Sequence, residues 1–292
     1  MKWRNREQRS STGVLIPPRC TVCAEAAVDR EPFYYDWRNR RFWLYRCRQC
    51  THQFVDPPVS AADQALIYAD SYFERDGDWS CGVFRNSYVQ AEAALRREAR
   101  RVLAFLPQVA GGNLLDIGCA GGVFLDEARA HGFAVTGIEL NPTMADHARR
   151  TYGLEILTGR LETTPVERWH RAFDVVTLMD CLEHLPEPRG VMERVARWIR
   201  PTGWLLVRGP LANRPLAHLK EALRRLIRLP KRLPGYPLDA NTFNKRSLTT
   251  LLRLTGFEPT AWIGEAPGFA NLLARADAQR PAGRPTPSRP RS

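Results

Sequence analysis

The sequence predicts an α/β fold in which helices cover both faces of a mostly parallel sheet, with a small metal-binding module in front. Strand-like and helix-like segments alternate from residue 114 onward. A glycine-rich turn at 116–122 joins the first of these strands to a helix, and two CxxC pairs, 20–23 and 47–50, precede it. Alternation of this kind is typical of a buried parallel sheet, and paired CxxC motifs are typical of a zinc site.

Composition indicates a globular chain. Its 292 residues can form one large domain and one small one, and 44% of them are hydrophobic. No apolar run is long enough to span a bilayer, and the basic amino end lacks the apolar segment of a signal peptide. We therefore expect a cytoplasmic protein, in which CxxC pairs favour metal over disulfide.

The net charge of +12 suits several anionic partners. Nucleic acid, a phosphorylated small molecule and an anionic membrane surface would all be attracted. Basic residues are concentrated in the tails and in segment 220–232 rather than on an evident recognition element. Nucleic acid is therefore the less favoured of these partners.

The two CxxC pairs predict one tetrahedral, structural Zn²⁺ site, because each tight turn supplies two thiolates. Its four ligands would be Cys20, Cys23, Cys47 and Cys50. Aromatic strand-like runs at 33–37 and 42–46 predict a hairpin between the pairs, as in a zinc ribbon. Since four thiolates fill the coordination sphere, we expect His52 at the surface or behind the ligands.

The glycine turn predicts a nucleoside-cofactor loop, because it lies between strand 114–117 and helix 123–130. Glu139 stands seventeen residues after Gly122, where its carboxylate can accept both hydroxyls of a ribose. An acidic residue, Asp116, leads the loop. It suits the positive amino-acid end of S-adenosylmethionine better than the pyrophosphate of a dinucleotide.

The remaining elements are placed by apolar runs and by breakers such as Pro142, Gly132 and Pro201. The predicted helices span 88–106, 142–151, 188–199 and 245–254, and the predicted strands span 133–138, 173–179, 204–207, 260–263 and 269–274.

Four segments together resemble the successive motifs of class I S-adenosylmethionine-dependent methyltransferases of the type 11/23 kind. They are LLDIGCAGG, VTGIELNP, FDVVTLMDCLEHLPEP and IRPTGWLLV, in the order and at the intervals of that family. The resemblance implies a Rossmann-like, doubly wound, mostly parallel seven-stranded sheet with a small N-terminal zinc-ribbon module. It also implies S-adenosylmethionine as the cofactor, beside the structural zinc.

The resemblance also assigns roles to individual residues. Those that would hold the methionine part are Asp116, Gly118, Ala120 and Gly122. Those around the rest of the cofactor would be Glu139 at the ribose, Leu140 and Leu161 at the adenine faces, and Met179 with Asp180 beside the methyl group. Two positions depart from the family. Ala120 replaces the usual middle glycine, and Arg160 stands where an adenine-contacting acid is common, which leaves Glu162 or a main-chain group for the adenine amine.

The segment that follows the fourth strand contains three candidates for removing a proton from the acceptor: Asp180, Glu183 and His184. His184 is the preferred base, because the unperturbed pKa of histidine lies near neutrality. The alternative is that Glu183 and His184 only cap the loop. The D-x-x-E-H spacing is also similar to the E-x-x-E-H of coenzyme Q O-methyltransferases, where it is associated with a divalent cation.

A zinc ribbon before such a core resembles enzymes of sugar and cell-surface polysaccharide pathways, including methyltransferases of nucleotide-linked keto-sugars. We therefore expect a small acceptor, such as a nucleotide- or lipid-linked sugar or another secondary-metabolite intermediate. Segment 219–228 forms a basic amphipathic pattern that could hold a phosphate, lie on an anionic membrane or simply face solvent. The alternatives are an rRNA or tRNA methyltransferase and a binding module without activity.

Five segments are therefore expected. They are a disordered basic tail at 1–18, the zinc-ribbon module at 19–58, a connector or lid at 59–85, the methyltransferase domain at 86–276 and a disordered Pro/Arg-rich tail at 277–292.

Overall fold

A computed structural model describes residues 18–74, 88, 90–107, 111–164, 169–211, 230–266 and 269–278. Two sheets organise this part of the chain, one of seven strands and one of five. Most of segment 219–232 and nearly all of both predicted tails lie outside the described residues.

The amino-terminal elements are three strands followed by three helices. They are β1 (Val28–Trp37), β2 (Arg40–Cys47), β3 (Gln53–Asp56), α1 (Ala61–Ile67), α2 (Asp70–Glu74) and α3 (Glu92–Leu103). The predicted hairpin is confirmed as the antiparallel pair β1–β2. Helix α3 is shorter than the predicted 88–106, and α1, with a Ser60 capping box, was not predicted.

The carboxyl-terminal part of the chain continues with alternating elements. They are β4 (Asn113–Ile117), α4 (Val123–Ala130), β5 (Ala134–Glu139), α5 (Pro142–Tyr152), β6 (Glu155–Thr158), β7 (Phe173–Met179), α6 (Pro188–Trp198) and β8 (Ile199–Pro210). After them come β9 (Lys231–Arg232), β10 (Asn241–Thr242), α7 (Lys245–Thr255), β11 (Phe257–Ala266) and β12 (Phe269–Ala276).

The seven-stranded sheet has the order β6-β5-β4-β7-β8-β12-β11. Strands β4 to β8 pair in parallel, and β12 runs antiparallel to both of its neighbours. The predicted doubly wound, mostly parallel sheet of seven strands is therefore confirmed. The strand order reverses between β4 and β7, and the carboxyl ends of strands at such a point are where open α/β sheets bind ligands.

The five-stranded sheet joins the two halves of the chain. Its order is β10-β3-β2-β1-β9, so two strands that follow β8 complete the sheet of the cysteine module. Buried residues of the module, including Cys20, Cys47 and Phe54, also belong to the same apolar core as Leu182 and Phe243. The domain boundaries stay a prediction, but the module and the carboxyl-terminal part of the chain share one core.

None of the helices in the described residues is both long enough and apolar enough to cross a membrane.

Gly122 begins α4 in a left-handed conformation, with φ of 84°. A Cβ at this position would lie 2.8 Å from the Cβ of Ala148 and 2.7 Å from Cδ1 of Leu154. We expect Gly122→Ala to lower the free energy of unfolding by about 2–4 kcal/mol, from backbone strain and overpacking.

Gly153 is the matched control, because its φ is also positive at 63° but a Cβ there would meet no atom within 4 Å. Gly153→Ala should cost only about 1 kcal/mol. Urea unfolding of the two variants measures both costs, and equal losses of stability would contradict the close packing at Gly122.

Candidate active site and metal centre

The four predicted zinc ligands converge at one point. Their Sγ atoms all lie within 4.8 Å of one another, with separations of 3.6 Å for Cys20–Cys50, 3.5 Å for Cys23–Cys47 and 3.6 Å for Cys23–Cys50. A tetrahedral Zn²⁺ with bonds of about 2.3 Å to sulfur needs edges of about 3.8 Å. The cluster therefore fits a structural, all-thiolate zinc site, as predicted.

His52 is not a member of this cluster, and it is fully buried rather than at the surface. Its Nε2 lies 3.1 Å from Oγ1 of Thr21 and 2.9 Å from Oδ1 of Asn241. The ring packs against Phe243 at 4.7 Å between centroids. Of the two predicted positions, the structure thus places the histidine behind the ligands.

A cavity of about 250 Å³ opens at the carboxyl ends of the parallel strands. The predicted residues Asp116, Gly118, Ala120, Glu139, Leu140, Leu161, Met179, Asp180 and His184 all line it. Gly122 and Glu183 do not belong to its lining. Sequence motifs far apart along the chain therefore meet at one cavity.

Glu139 ends β5, and its carboxylate is buried. Oε2 accepts a hydrogen bond from the main-chain N–H of Ala120 at 2.8 Å, and Oε1 accepts one from Asn141 at 2.7 Å. Burial raises the pKa of Glu139 above its ordinary value. Each oxygen keeps acceptor capacity for a further donor, so the carboxylate fits the two hydroxyls of a ribose.

Asp116 lies at the base of the loop, where Thr177 donates a hydrogen bond to its Oδ1 at 2.6 Å. Burial raises the pKa of this carboxyl to about 7, although the bond from Thr177 opposes the shift. A ligand with a positive amino group would favour the ionised form. The role of Asp116 at the amino end of the cofactor stays a prediction.

The loop after β4 needs left-handed backbone at three alternate positions. Gly118 has a φ of 76°, Ala120 of 47° and Gly122 of 84°. The first and last are glycines, which adopt this conformation without cost, but Ala120 carries a strain of about 1 kcal/mol. Ala120 therefore adopts the left-handed conformation that the usual glycine would have, and the shape of the turn is unchanged.

The other predicted departure, Arg160, is held at the cavity edge. Its guanidinium donates to Oε1 of Gln64 in α1 and lies 3.2 Å from Oε1 of Glu162. Leu161 beside it is buried. The adenine side thus combines an apolar wall with a paired arginine, and it leaves Glu162 at the cavity, where the sequence suggested it.

The β7–β8 half of the cavity carries unpaired polar atoms. Oδ1 of Asp180 and the hydroxyl oxygen of Tyr68 are buried and have no hydrogen-bond partner among the described residues. Arg208 of β8 lies 3.8 Å from Oδ2 of Asp180, and it also lies 3.3 Å from Oε1 of Glu98 in α3. Burial raises the pKa of Asp180.

His184 lies between two carboxylates. Its Nδ1 is 3.2 Å from Oδ1 of Asp239, and its Nε2 is 3.9 Å from Oε1 of Glu183. Burial alone would lower the pKa of His184, but these carboxylates raise it to about 9. The ring is then cationic at neutral pH, which favours a donor over the predicted base.

The carboxylate of Glu183 packs against Gly209 of β8. A Cβ added to Gly209 would lie only 3.0 Å from Oε2 of Glu183. Burial raises its pKa to about 7. In the described part of the chain, the four cysteines alone form a group with metal-ligand spacing. The second-cation alternative for Asp180, Glu183 and His184 therefore finds no preformed site.

Several lining residues lie outside the set of predicted site residues. Tyr68, Tyr72 and Phe73 come from the segment 59–85, which the sequence predicts as a connector or lid. Asn141 donates to the carbonyl of Tyr68 at 2.9 Å, and this bond fixes the connector against the cofactor loop. No local pattern could have assigned Glu98 or Arg208, because they face each other only in the folded chain.

The sheet order and the cofactor loop define the class: an S-adenosylmethionine-dependent methyltransferase fold with a four-cysteine module. A family model described as a methyltransferase domain matches residues 89–261, which is more than half of the chain. The chain belongs to this methyltransferase family, whose cofactor is S-adenosylmethionine.

Relatives share shorter stretches. The ubiquinone biosynthesis O-methyltransferase of Albidiferax ferrireducens is 36% identical over 103 residues, which are 33% of this chain and 40% of that protein. The enzyme of the same name from Nitrosomonas europaea is 33% identical over 116 residues, which are 35% of this chain and 47% of the relative. The chain thus spans less than half the length of these curated relatives.

Solved structures agree on the fold alone. Magnesium protoporphyrin IX methyltransferase (ChlM) from Synechocystis PCC 6803, solved with bound SAH, superposes with a TM-score of 0.54 at 16% identity, covering 75% of this chain and 100% of that one. The cyclase SpnF superposes with a TM-score of 0.51 at 19% identity, covering 63% and 82%.

We expect Cys20→Ser to lower the zinc content, because it removes one of the four thiolates. Elemental analysis should find one zinc ion per wild-type chain and markedly less in the variant. The melting temperature should also fall, since Cys20 lies in the shared core. Cys119→Ala is the control and should keep its zinc. Equal metal contents in the wild type and Cys20→Ser would contradict the site.

The affinity for S-adenosylhomocysteine should rise about tenfold from pH 6 to pH 8. The reason is that the ligand's ammonium group favours ionised Asp116, whose pKa in the free protein is about 7. Binding should release a proton at pH 6. Calorimetric titration measures both effects.

Asp116→Asn should weaken binding and abolish this pH dependence. Glu183→Gln should retain it, although the pKa of Glu183 is also about 7. The assignment fails if the wild type binds equally well at both pH values.

Proposed function

We propose that the chain transfers the methyl group of S-adenosylmethionine to a protic group of a small acceptor. The single observation that carries this proposal is the buried, unpaired Oδ1 of Asp180 at the β7–β8 half of the cavity. A buried carboxylate oxygen without a partner is costly unless a donor from a ligand completes it. An acceptor hydroxyl or amine supplies such a donor.

The shape of the cavity supports a small acceptor. Aromatic side chains of the connector, Tyr68, Tyr72 and Phe73, form one wall, and apolar residues of α3 such as Leu95 and Val102 form another. Such walls exclude water and orient a compact substrate. A nucleotide- or lipid-linked sugar, or another secondary-metabolite intermediate, is the class that we propose.

S-adenosylmethionine, when bound, supplies an electrophilic sulfonium methyl group. The residues of the chain then act around it. Glu139 would hold the ribose of the cofactor, and Asp116 would hold its amino end. Asp180 would accept the proton that the acceptor's oxygen or nitrogen loses when it takes the methyl group, and the electron pair of the C–S bond would stay on the cofactor's sulfur. Cationic His184 and Arg208 hold charge near Asp180, which favours its ionised form.

The proposal is tested by incubating the zinc-loaded protein with radiolabelled S-adenosylmethionine and separate pools of nucleotide sugars, lipid-linked sugars, phenolic metabolites and bulk RNA. We expect label in a small-molecule pool. Label in RNA alone would overturn the proposal in favour of a nucleic-acid enzyme.

We expect Asp180→Asn to lower kcat by about a hundredfold or more, because it removes the proton acceptor. The affinity for S-adenosylhomocysteine should change less than about twofold. Asp146→Asn is a matched control, since Asp146 pairs with Arg149 on the exposed face of α5. It should keep full activity. An Asp180→Asn enzyme with wild-type kcat would contradict the role of the carboxylate.

A further inference from the structure

One buried side chain connects the two CxxC turns, 20–23 and 47–50, with the turn that borders the acceptor half of the cavity. We call these two CxxC turns the zinc knuckles. Asn241 is 1% exposed and belongs to β10, which pairs with β3 at the edge of the five-stranded sheet. Strand β3 begins three residues after Cys50, so the pairing sets Asn241 beside the second knuckle. The turn in question spans residues 182–185 and contains His184.

On the knuckle side, the amide oxygen of Asn241 accepts two hydrogen bonds. Oγ1 of Thr21 donates at 2.9 Å, and Nε2 of His52 lies at 2.9 Å. Thr21 stands between two zinc ligands, Cys20 and Cys23, and His52 follows Cys50 by two residues. A single oxygen therefore joins both knuckles.

On the other side, the amide nitrogen of Asn241 donates to the main-chain carbonyl of Leu185 at 2.6 Å. The same segment also holds His184, because the carbonyl oxygen of Leu238 and Oδ1 of Asp239 each lie 3.2 Å from its Nδ1. Residues 238–241 thus fix both the ring of His184 and the main chain that follows it.

The chemistry of this position requires an amide. Thr21 and His52 offer donors, whereas the carbonyl of Leu185 offers only an acceptor. Only a side chain with an acceptor at one atom and a donor at another satisfies all three. A carboxylate would lack the donor, and an aliphatic side chain would leave the carbonyl of Leu185 without its donor and the hydroxyl of Thr21 without its acceptor.

We propose that Asn241 is a positioning residue that fixes the turn 182–185 relative to the zinc knuckles, so that the metal site sets the geometry of His184. The proposal rests on the proposed function only in treating this turn as the acceptor side of the site. It assigns the four-cysteine module a part in the active site rather than in stability alone.

The test compares hydrogen exchange in the full-length, zinc-loaded wild type with the variants Asn241→Ala and Thr21→Val. Thr21→Val keeps the side-chain shape but removes one donor to Asn241. Asn113→Ala is the control, because Asn113 also donates to a main-chain carbonyl, that of Ala172, but at the amino ends of the parallel strands, opposite to the cavity. The ring nitrogens of His184 are followed in parallel by NMR.

In Asn241→Ala we expect exchange in peptides covering 182–185 to rise about tenfold and the His184 signals to shift. Zinc content should remain at one per chain, and the affinity for S-adenosylhomocysteine should stay within about twofold. Thr21→Val should affect the same peptides and the same His184 signals, with a rise in exchange rate about half as large on a logarithmic scale. Asn113→Ala should leave both the turn and His184 unchanged.

Exchange that rises equally over the whole chain, unchanged His184 signals, or loss of zinc from both variants would overturn the proposal. If Asn241→Ala does not fold, the isosteric Thr21→Val decides the outcome by the same criteria. No acceptor is needed, so a failure here leaves the proposed methyl transfer intact. Absence of methyl transfer would likewise leave this coupling standing.

Discussion

The geometry of the site depends on one buried carboxylate. Glu139 accepts main-chain hydrogen bonds from Ala120 and Asn141, so it holds the loop after β4 against the first turn of α5. Burying a carboxylate costs free energy that these bonds offset, and a ligand that donates further bonds would complete the compensation. The glycine loop, the strained Ala120 and the start of α5 are all arranged around this group.

The β7–β8 half of the cavity is built differently, from parts that meet only in the folded chain. The connector contributes Tyr68, helix α3 contributes Glu98, and strand β8 contributes Arg208. The segment that follows β8 completes the cysteine module's sheet and holds the turn of His184. The cysteine module is therefore linked to the turn of His184 through this segment.

Local pattern predicted most of the sheet and its helices. Phe173–Met179 and Val123–Ala130 were placed at their observed bounds because apolar runs there end at clear breakers. The two-residue strands β9 and β10 are too short to show an alternation of apolar and polar residues. No local signal in the sequence indicates the hydrogen-bond partners of Asn241. The surroundings of His184 were only partly visible in the sequence: the adjacent Glu183 raises its pKa most, but Asp239, which also raises it, is 55 positions away and comes close only in three dimensions. The four thiolates were predictable because spacing alone specifies a tetrahedral site.

Calorimetric titration with S-adenosylhomocysteine, comparing the wild type with Glu139→Gln, tests the central claim most directly. The wild type should bind one ligand per chain. The variant keeps the size of the side chain but loses the charge that accepts the ribose hydroxyls, and it should bind roughly ten- to a hundredfold more weakly. Equal affinities, or no heat with the wild type, would contradict a cofactor held by this carboxylate.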